Sequence, residues 1–136
     1  MLSFVLGVGI SPIRFHLEGW GCGKVQDGVG YFGIESYRST YFTKLWFAKS
    51  SYHSTEKANE VFTAIVNSSN TIVDKGLKYD QQGVKVGERA VAVMLDSERN
   101  EKFAVVSWTH GPNLYSVGSC SMAHVLQFEK YRNADE

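Results

Sequence analysis

Hydrophobic and polar positions along this chain follow two rhythms. Strand-like runs alternate every second residue, and helix-like runs repeat every third or fourth. "YFGIESY" (31–37) and "YFTKLWFAK" (41–49) are aromatic runs separated by Arg38-Ser39-Thr40, which predicts a hairpin with a short loop. In "STEKANEVFTAIVNSSN", Ala58, Val61, Phe62, Ile65 and Val66 fall on one stripe, which predicts a helix over about 54–69. Ser54 or Thr55 suits its N-cap, and Glu56 and Glu60 suit the positive end of its dipole. "ERAVAVMLD" (88–96), "EKFAVVSWT" (101–109) and "LYSVGS" (114–119) predict a three-stranded meander. In its second turn, "HGPN", Pro112 fixes φ and Asn113 tolerates a left-handed conformation. "SMAHVLQFEKYR" predicts a closing helix over 121–132, capped by Ser119 or Ser121.

Two segments resist the same treatment. Residues 16–30, "HLEGWGCGKVQDGVG", hold five glycines and read as a long turn-rich connection. Residues 71–87 are mixed, with Gly76, Gly83 and Gly87, and read as a loop with room for one short strand. At the start, Leu2–Ile10 is far shorter than the roughly 20 residues of a membrane span. It reads as a strand ended by Ser11-Pro12, although its apolar run also has the look of a secretory core without preceding basic residues. Strands in runs with segregated helices predict a single α+β domain over 1–136. Its expected form is a mainly antiparallel, curved sheet of five to six strands with both helices on one face.

The face count raises a question about that arrangement. In 41–49, Tyr41, Thr43, Leu45 and Phe47 oppose Phe42, Lys44, Trp46 and Ala48. In 88–96, Val91, Val93 and Leu95 oppose Ala90, Ala92 and Met94; in 101–109, Phe103, Val105 and Ser107 oppose Ala104, Val106 and Trp108. Both sides are apolar, whereas an antiparallel sheet with one solvated side alternates with polar residues. Two helices on one side leave the other to the N-terminal segment, a second copy of the chain, or a ligand. Tyr37, Tyr41, Trp46, Met94, Trp108 and His110 are the expected ligand-binding surface, suited to a hydrophobic small molecule or a protein partner, with a homo-oligomer of this chain expected.

Composition narrows the alternatives. Fourteen basic and fourteen acidic residues cancel, so no field of one sign draws the chain to nucleic acid or an anionic surface. Aromatic residues make up 13%, concentrated in the strand-like runs, which fits both core and binding surface. Arg38, Lys44 and Lys49 interleave with aromatics as in base-stacking sheets, but Val29 and Phe32 break the RNA-binding strand signature. "GVGYFG" (28–33) matches the dinucleotide spacing, yet no aliphatic strand precedes it, no helix follows, and no acid stands about twenty residues on. "GCGK" (21–24) lacks the first glycine and the hydroxyl residue of a phosphate loop. No nucleic acid, membrane span or cofactor is therefore expected.

Catalytic and metal signals are thin. The four histidines form no close pair, and Cys120 with His124 offers two metal ligands where zinc takes three or four, so no metal is expected. Cys120 near a helix start, with His110 or His124 as base, is a conceivable thiol nucleophile. Cys22 and Cys120 form either one bridge or two buried thiols. The competing functional class is a small cone-shaped enzyme in which an aromatic pocket positions His110 or a carboxylate.

The stretch Gly87–Lys130, "GERAVAV…KFAVVSWTHGPNLYSVGSCSMAHVLQFEK", resembles the closing half of small bacterial extracytoplasmic α+β domains of the Mog1/PsbP-like type. There, a G-E/D-x-A-V strand, an aromatic-ended strand, a G-N turn and a last strand lead into a terminal helix. The helix at "STEKANEVFTAIV" stands where such domains place one. Pro112 in the turn and the absence of a lipoprotein signal depart from that pattern. The resemblance implies a non-enzymatic binding or accessory module and transfers no catalytic residue.

Overall fold

A computed structural model describes residues 14–24, 31–39, 43–68, 71–96, 98 and 100–135. The elements are β1 (Phe15–Lys24), β2 (Tyr31–Ser39), β3 (Lys44–Ser51), α1 (Thr55–Ser68), β4 (Thr71–Tyr79), β5 (Lys85–Asp96), β6 (Glu101–His110), β7 (Asn113–Ser119) and α2 (Met122–Asp135). The α+β class holds, but among the described residues the sheet has seven strands rather than five or six, ordered β1-β2-β3-β7-β6-β5-β4. Every pairing is antiparallel. Two meanders, β1–β3 and β4–β7, are spliced where β3 pairs with β7, from Leu45 opposite Ser119 to Ser51 opposite Asn113. The N-terminal strand expected over Leu2–Ile10 lies outside the described residues.

Both additional strands are edges, and each lacks the signal that identifies an inner strand. β1 is the glycine-rich stretch read as a connection; it pairs with β2 through a register shift between Leu17 and Gly19. β4 inverts the usual pattern: Ile72, Val73, Leu77 and Tyr79 are exposed while Lys78 is buried. Hydrogen bonding to one neighbour holds such a strand without a buried apolar stripe. Its turn to β5 is an Asx turn, in which Asp80 Oδ1 accepts from the Gln82 and Val84 amides at 2.9 Å, with Gly83 at φ 80°.

The helices start where their caps stand. Ser54 Oγ accepts the Lys57 amide at 3.1 Å, and the hydroxyl of Ser121 accepts the His124 amide at 3.3 Å. In the β6–β7 turn the left-handed residue is Gly111, at φ 60°, rather than Asn113, which already begins β7. The backbone curl there needs a residue without a Cβ, and Pro112 only stiffens it.

The expectation that both helices share one face is corrected. Partners across a ladder share a face. Phe47, Val117, Val106 and Val91 form one row, and Trp46, Gly118, Val105 and Ala92 form the row on the opposite side. On the first face, α2 lays Val125 and Phe128 on Tyr37, Phe47, Val106, Trp108, Tyr115 and Val117. On the second, α1 lays Ala58 and Phe62 on Ala90, Leu114 and Tyr52. The surplus of apolar strand positions is thus answered by one helix on each side of the sheet.

Candidate functional site

The two covers are unequal, and the gap in the weaker one is the candidate site. α1 packs across β6 and β7, and among the described residues nothing covers the β2–β3 side of the second face. A groove of about 470 Å³ remains there, lined by Ile34, Trp46, Ala48, Ser50, Tyr52, Leu114 and Ser116 from the sheet side and by Val61 and Ile65 from α1. Its shape follows from side-chain size along the ladder rows. Ile34, Ala48, Ser116 and Ser107 stand in one row, and Ser36, Trp46 and Gly118 in the next. Small residues at 48, 116 and 118 make a trough, and Trp46, Ile34 and the helix residues wall it.

Trp46 is held in place by what Gly118 lacks. Its ring lies over Gly118, where a Cβ would collide with indole atoms Cε2, Cζ2 and Nε1. At the floor, the Ser107 and Ser116 hydroxyls are 2.8 Å apart and bond to each other. None of the nine lining residues is charged. The groove is thus an apolar trough with a few hydroxyls and one indole, in the range of about 300–1,000 Å³ usual for small-molecule pockets.

Of the six residues expected to form one surface, the five that are described do not come together. Trp46 lines the groove. Met94 is half-buried on β5 and does not line it. Trp108 is 1% exposed on the first face, with its ring stacked on Tyr115 at 5.4 Å. Tyr37 is also a first-face core residue, 4.8 Å from the Phe128 ring. Its hydroxyl donates to Glu35 Oε1 at 2.8 Å; burial and that acidic acceptor push its pKa up to about 12. His110 is exposed at the end of β6, beside a smaller cavity of about 80 Å³ that also touches Lys78 and Trp108. Tyr41 lies outside the described residues. The tryptophans separate because alternation sorts residues only within one strand; the pairing register decides which side of one strand joins which side of another.

The first face contains a charged cluster that sequence reasoning missed. Glu129, 5% exposed on α2, accepts from Lys78 Nζ at 2.7 Å, Arg89 Nε at 2.7 Å and Arg89 Nη2 at 2.8 Å. Arg89 also reaches Asp74 Oδ2 at 3.3 Å, and the Lys78 ammonium sits 4.7 Å from the centre of the Trp108 ring. Burial raises the pKa of the Glu129 carboxyl, but the hydrogen bonds and charges of Arg89 and Lys78 outweigh it and hold the group below its ordinary value. The bidentate bond to Glu129 raises the pKa of Arg89 in turn, against its own burial. With both oxygens engaged by cations, this carboxylate is a clamp between α2 and strands β4 and β5 rather than an acid–base group. Its only sequence trace is a glutamate in the buried stripe of a helix, one position after Phe128.

The remaining chemistry is dispersed. Cys120 is a free, exposed thiol rather than a buried or bridged one. His124 Nδ1 lies 2.8 Å from Ser121 Oγ, a local arrangement of the helix cap. Among the described residues no three His, Cys, Asp or Glu side chains converge as metal ligands, and no helix is long and apolar enough to cross a membrane. No family model, no curated protein and no solved structure matches the chain.

Proposed function

We propose that this chain is a small non-enzymatic binding domain whose working surface is the groove between α1 and strands β2, β3 and β7, and that it takes a hydrophobic small molecule there. The observation that carries the reading is the uncharged trough of about 470 Å³ built around Trp46. A cleft of that size in an otherwise packed sheet exposes apolar area that a ligand removes from water, worth about 25 cal/mol per Å². The resemblance of residues 87–130 to accessory modules of the Mog1/PsbP-like type supports the same class of function. Among the described residues the groove contains no nucleophile–base pair, and His110 does not line it.

The test is a titration of the full chain with the neutral dye Nile red, followed by dye emission. Binding should appear with one saturable site, and Ala48→Phe, which fills the trough, should abolish it while leaving the circular dichroism spectrum and melting temperature close to wild type. Dye binding that survives Ala48→Phe would remove the groove as the site. Native mass spectrometry separates the other occupant: a clean dimer that Ala48→Phe dissociates would make the groove an interface with a second copy.

A further inference from the structure

Resting on the groove being a ligand site, we infer that it selects a flat, uncharged aromatic molecule bearing one hydrogen-bonding substituent. Three features of the trough point to that chemistry.

The first is charge. An ion moved from water into this trough meets no counter-charge among the described lining residues, and an unpaired buried charge is strongly disfavoured. Of the lysines on the bordering elements, Lys44 is exposed at the start of β3 and is not among the lining residues, and two others are directed elsewhere. Lys49 lies over the Tyr115 ring on the opposite face, at 5.6 Å, and Lys57 pairs with Glu60 at 3.0 Å. Carboxylates, phosphates and ammonium groups are therefore excluded from the trough itself.

The second is shape. The Trp46 ring occupies the space left by Gly118, so a ligand meets an indole already in position rather than a flexible side chain. Val61 and Ile65 close the trough from the helix side, and its floor is made of small side chains. An aromatic body in contact with that indole gains ring–ring attraction beyond area burial, which a puckered ring of equal size does not.

The third is a polar anchor. Ser107 and Ser116 share one hydrogen bond, which uses one of their two hydroxyl protons. Ser107 is 3% exposed, whereas Ser116 reaches the groove. When Ser107 donates to Ser116, the Ser116 proton is left to donate into the trough, and a hydroxyl or carbonyl on the ligand accepts it.

The experiment uses one two-ring body in four versions, titrated into the full chain at pH 7 by calorimetry: 2-naphthol, 2-naphthoate, 2-naphthylmethylammonium and decahydro-2-naphthol. The expected result is that 2-naphthol binds at least tenfold more tightly than either ion and several-fold more tightly than the saturated alcohol. Ser116→Ala should weaken 2-naphthol several-fold without moving the melting temperature. Either ion binding as well as 2-naphthol would overturn the charge selection, and equal binding of the saturated alcohol would overturn the preference for a flat ring. In both cases Nile red binding that Ala48→Phe abolishes would show that the groove reading still stands. Failure of 2-naphthol to bind, with Nile red still bound, overturns this inference alone; failure of both ligands overturns the groove as well.

Discussion

The two faces of this sheet are built from the same kinds of residue and finished differently. On the first, Phe128 enters a nest of rings, 5.0 Å from Phe15, 4.8 Å from Tyr37 and 5.5 Å from Phe47. The Arg132 guanidinium lies 4.7 Å from the centre of the Phe47 ring, and Lys78 caps Trp108 at the same distance. On the second, α1 seals Phe62 against Ala90 and Leu114 but stops short of Trp46, and Ile34 at the rim is 37% exposed. Large complementary rings close a face, whereas a row of small residues beside a single large one leaves a trough. The first face is the more tightly packed of the two, and the second contains the groove proposed as the binding site.

The sharpest way to break this contrast is at Glu129. Glu129→Gln leaves the buried Lys78 without its carboxylate and half-buried Arg89 with Asp74 alone, and should cost about 3–5 kcal/mol by urea unfolding. The same group sets the acid limb. Its folded pKa is depressed, so its stabilisation is present above the unfolded carboxyl value and is lost as pH falls from there through the lower folded value. Wild type should lose stability steeply below about pH 4, and the Gln variant should show a flatter acid limb. Equal acid limbs would mean that the clamp is not what holds α2 down.

Next in size, Trp108→Ala should cost about 3–5 kcal/mol as a core truncation. Trp46→Ala should cost about 1 kcal/mol or less and instead remove Nile red binding. Similar losses of stability at both tryptophans would erase the distinction between the faces. Gly118→Ala forces the Trp46 ring off its seat and should destabilise by about 1–3 kcal/mol while weakening ligand binding. A gentler effect is expected at high pH. The Tyr37 pKa rises from 10.0 to about 12, so its share of stability is intact below pH 10 and fades as pH climbs through 12. Tyr37→Phe should remove that alkaline decline in pH-dependent melts. Smallest of all, Ile34→Ser at the rim should change stability by no more than about 0.5 kcal/mol, with a modest loss of dye affinity.

Legibility from sequence followed the strength of local signals. β2, β3, β5, β6 and β7 carry dense apolar runs, and both helices carry capping serines, so their existence and order were readable. β1 was hidden by glycines, and β4 by an inverted pattern that exposes Val73 and Tyr79 and buries Lys78. An edge strand needs only one hydrogen-bonded neighbour, and its identity is decided by the neighbour as much as by itself. Of the candidate site, Trp46 alone was anticipated. Ala48, Ser116 and Gly118 are unremarkable singly and become a trough only when three strands align them.

The sequence by itself determined the α+β class, the succession of hairpin, helix, meander and helix along the chain, and the need to cover both sides of the sheet. Each is a property of a short stretch, expressed through a period of two or of about 3.6 residues. Only the tertiary structure decided that the helices lie on opposite faces, that Trp46 and Trp108 face away from each other, and that one carboxylate on α2 holds cations from β4 and β5. These depend on pairing register and chain path. A shift of one residue between strands exchanges the faces without altering any local pattern.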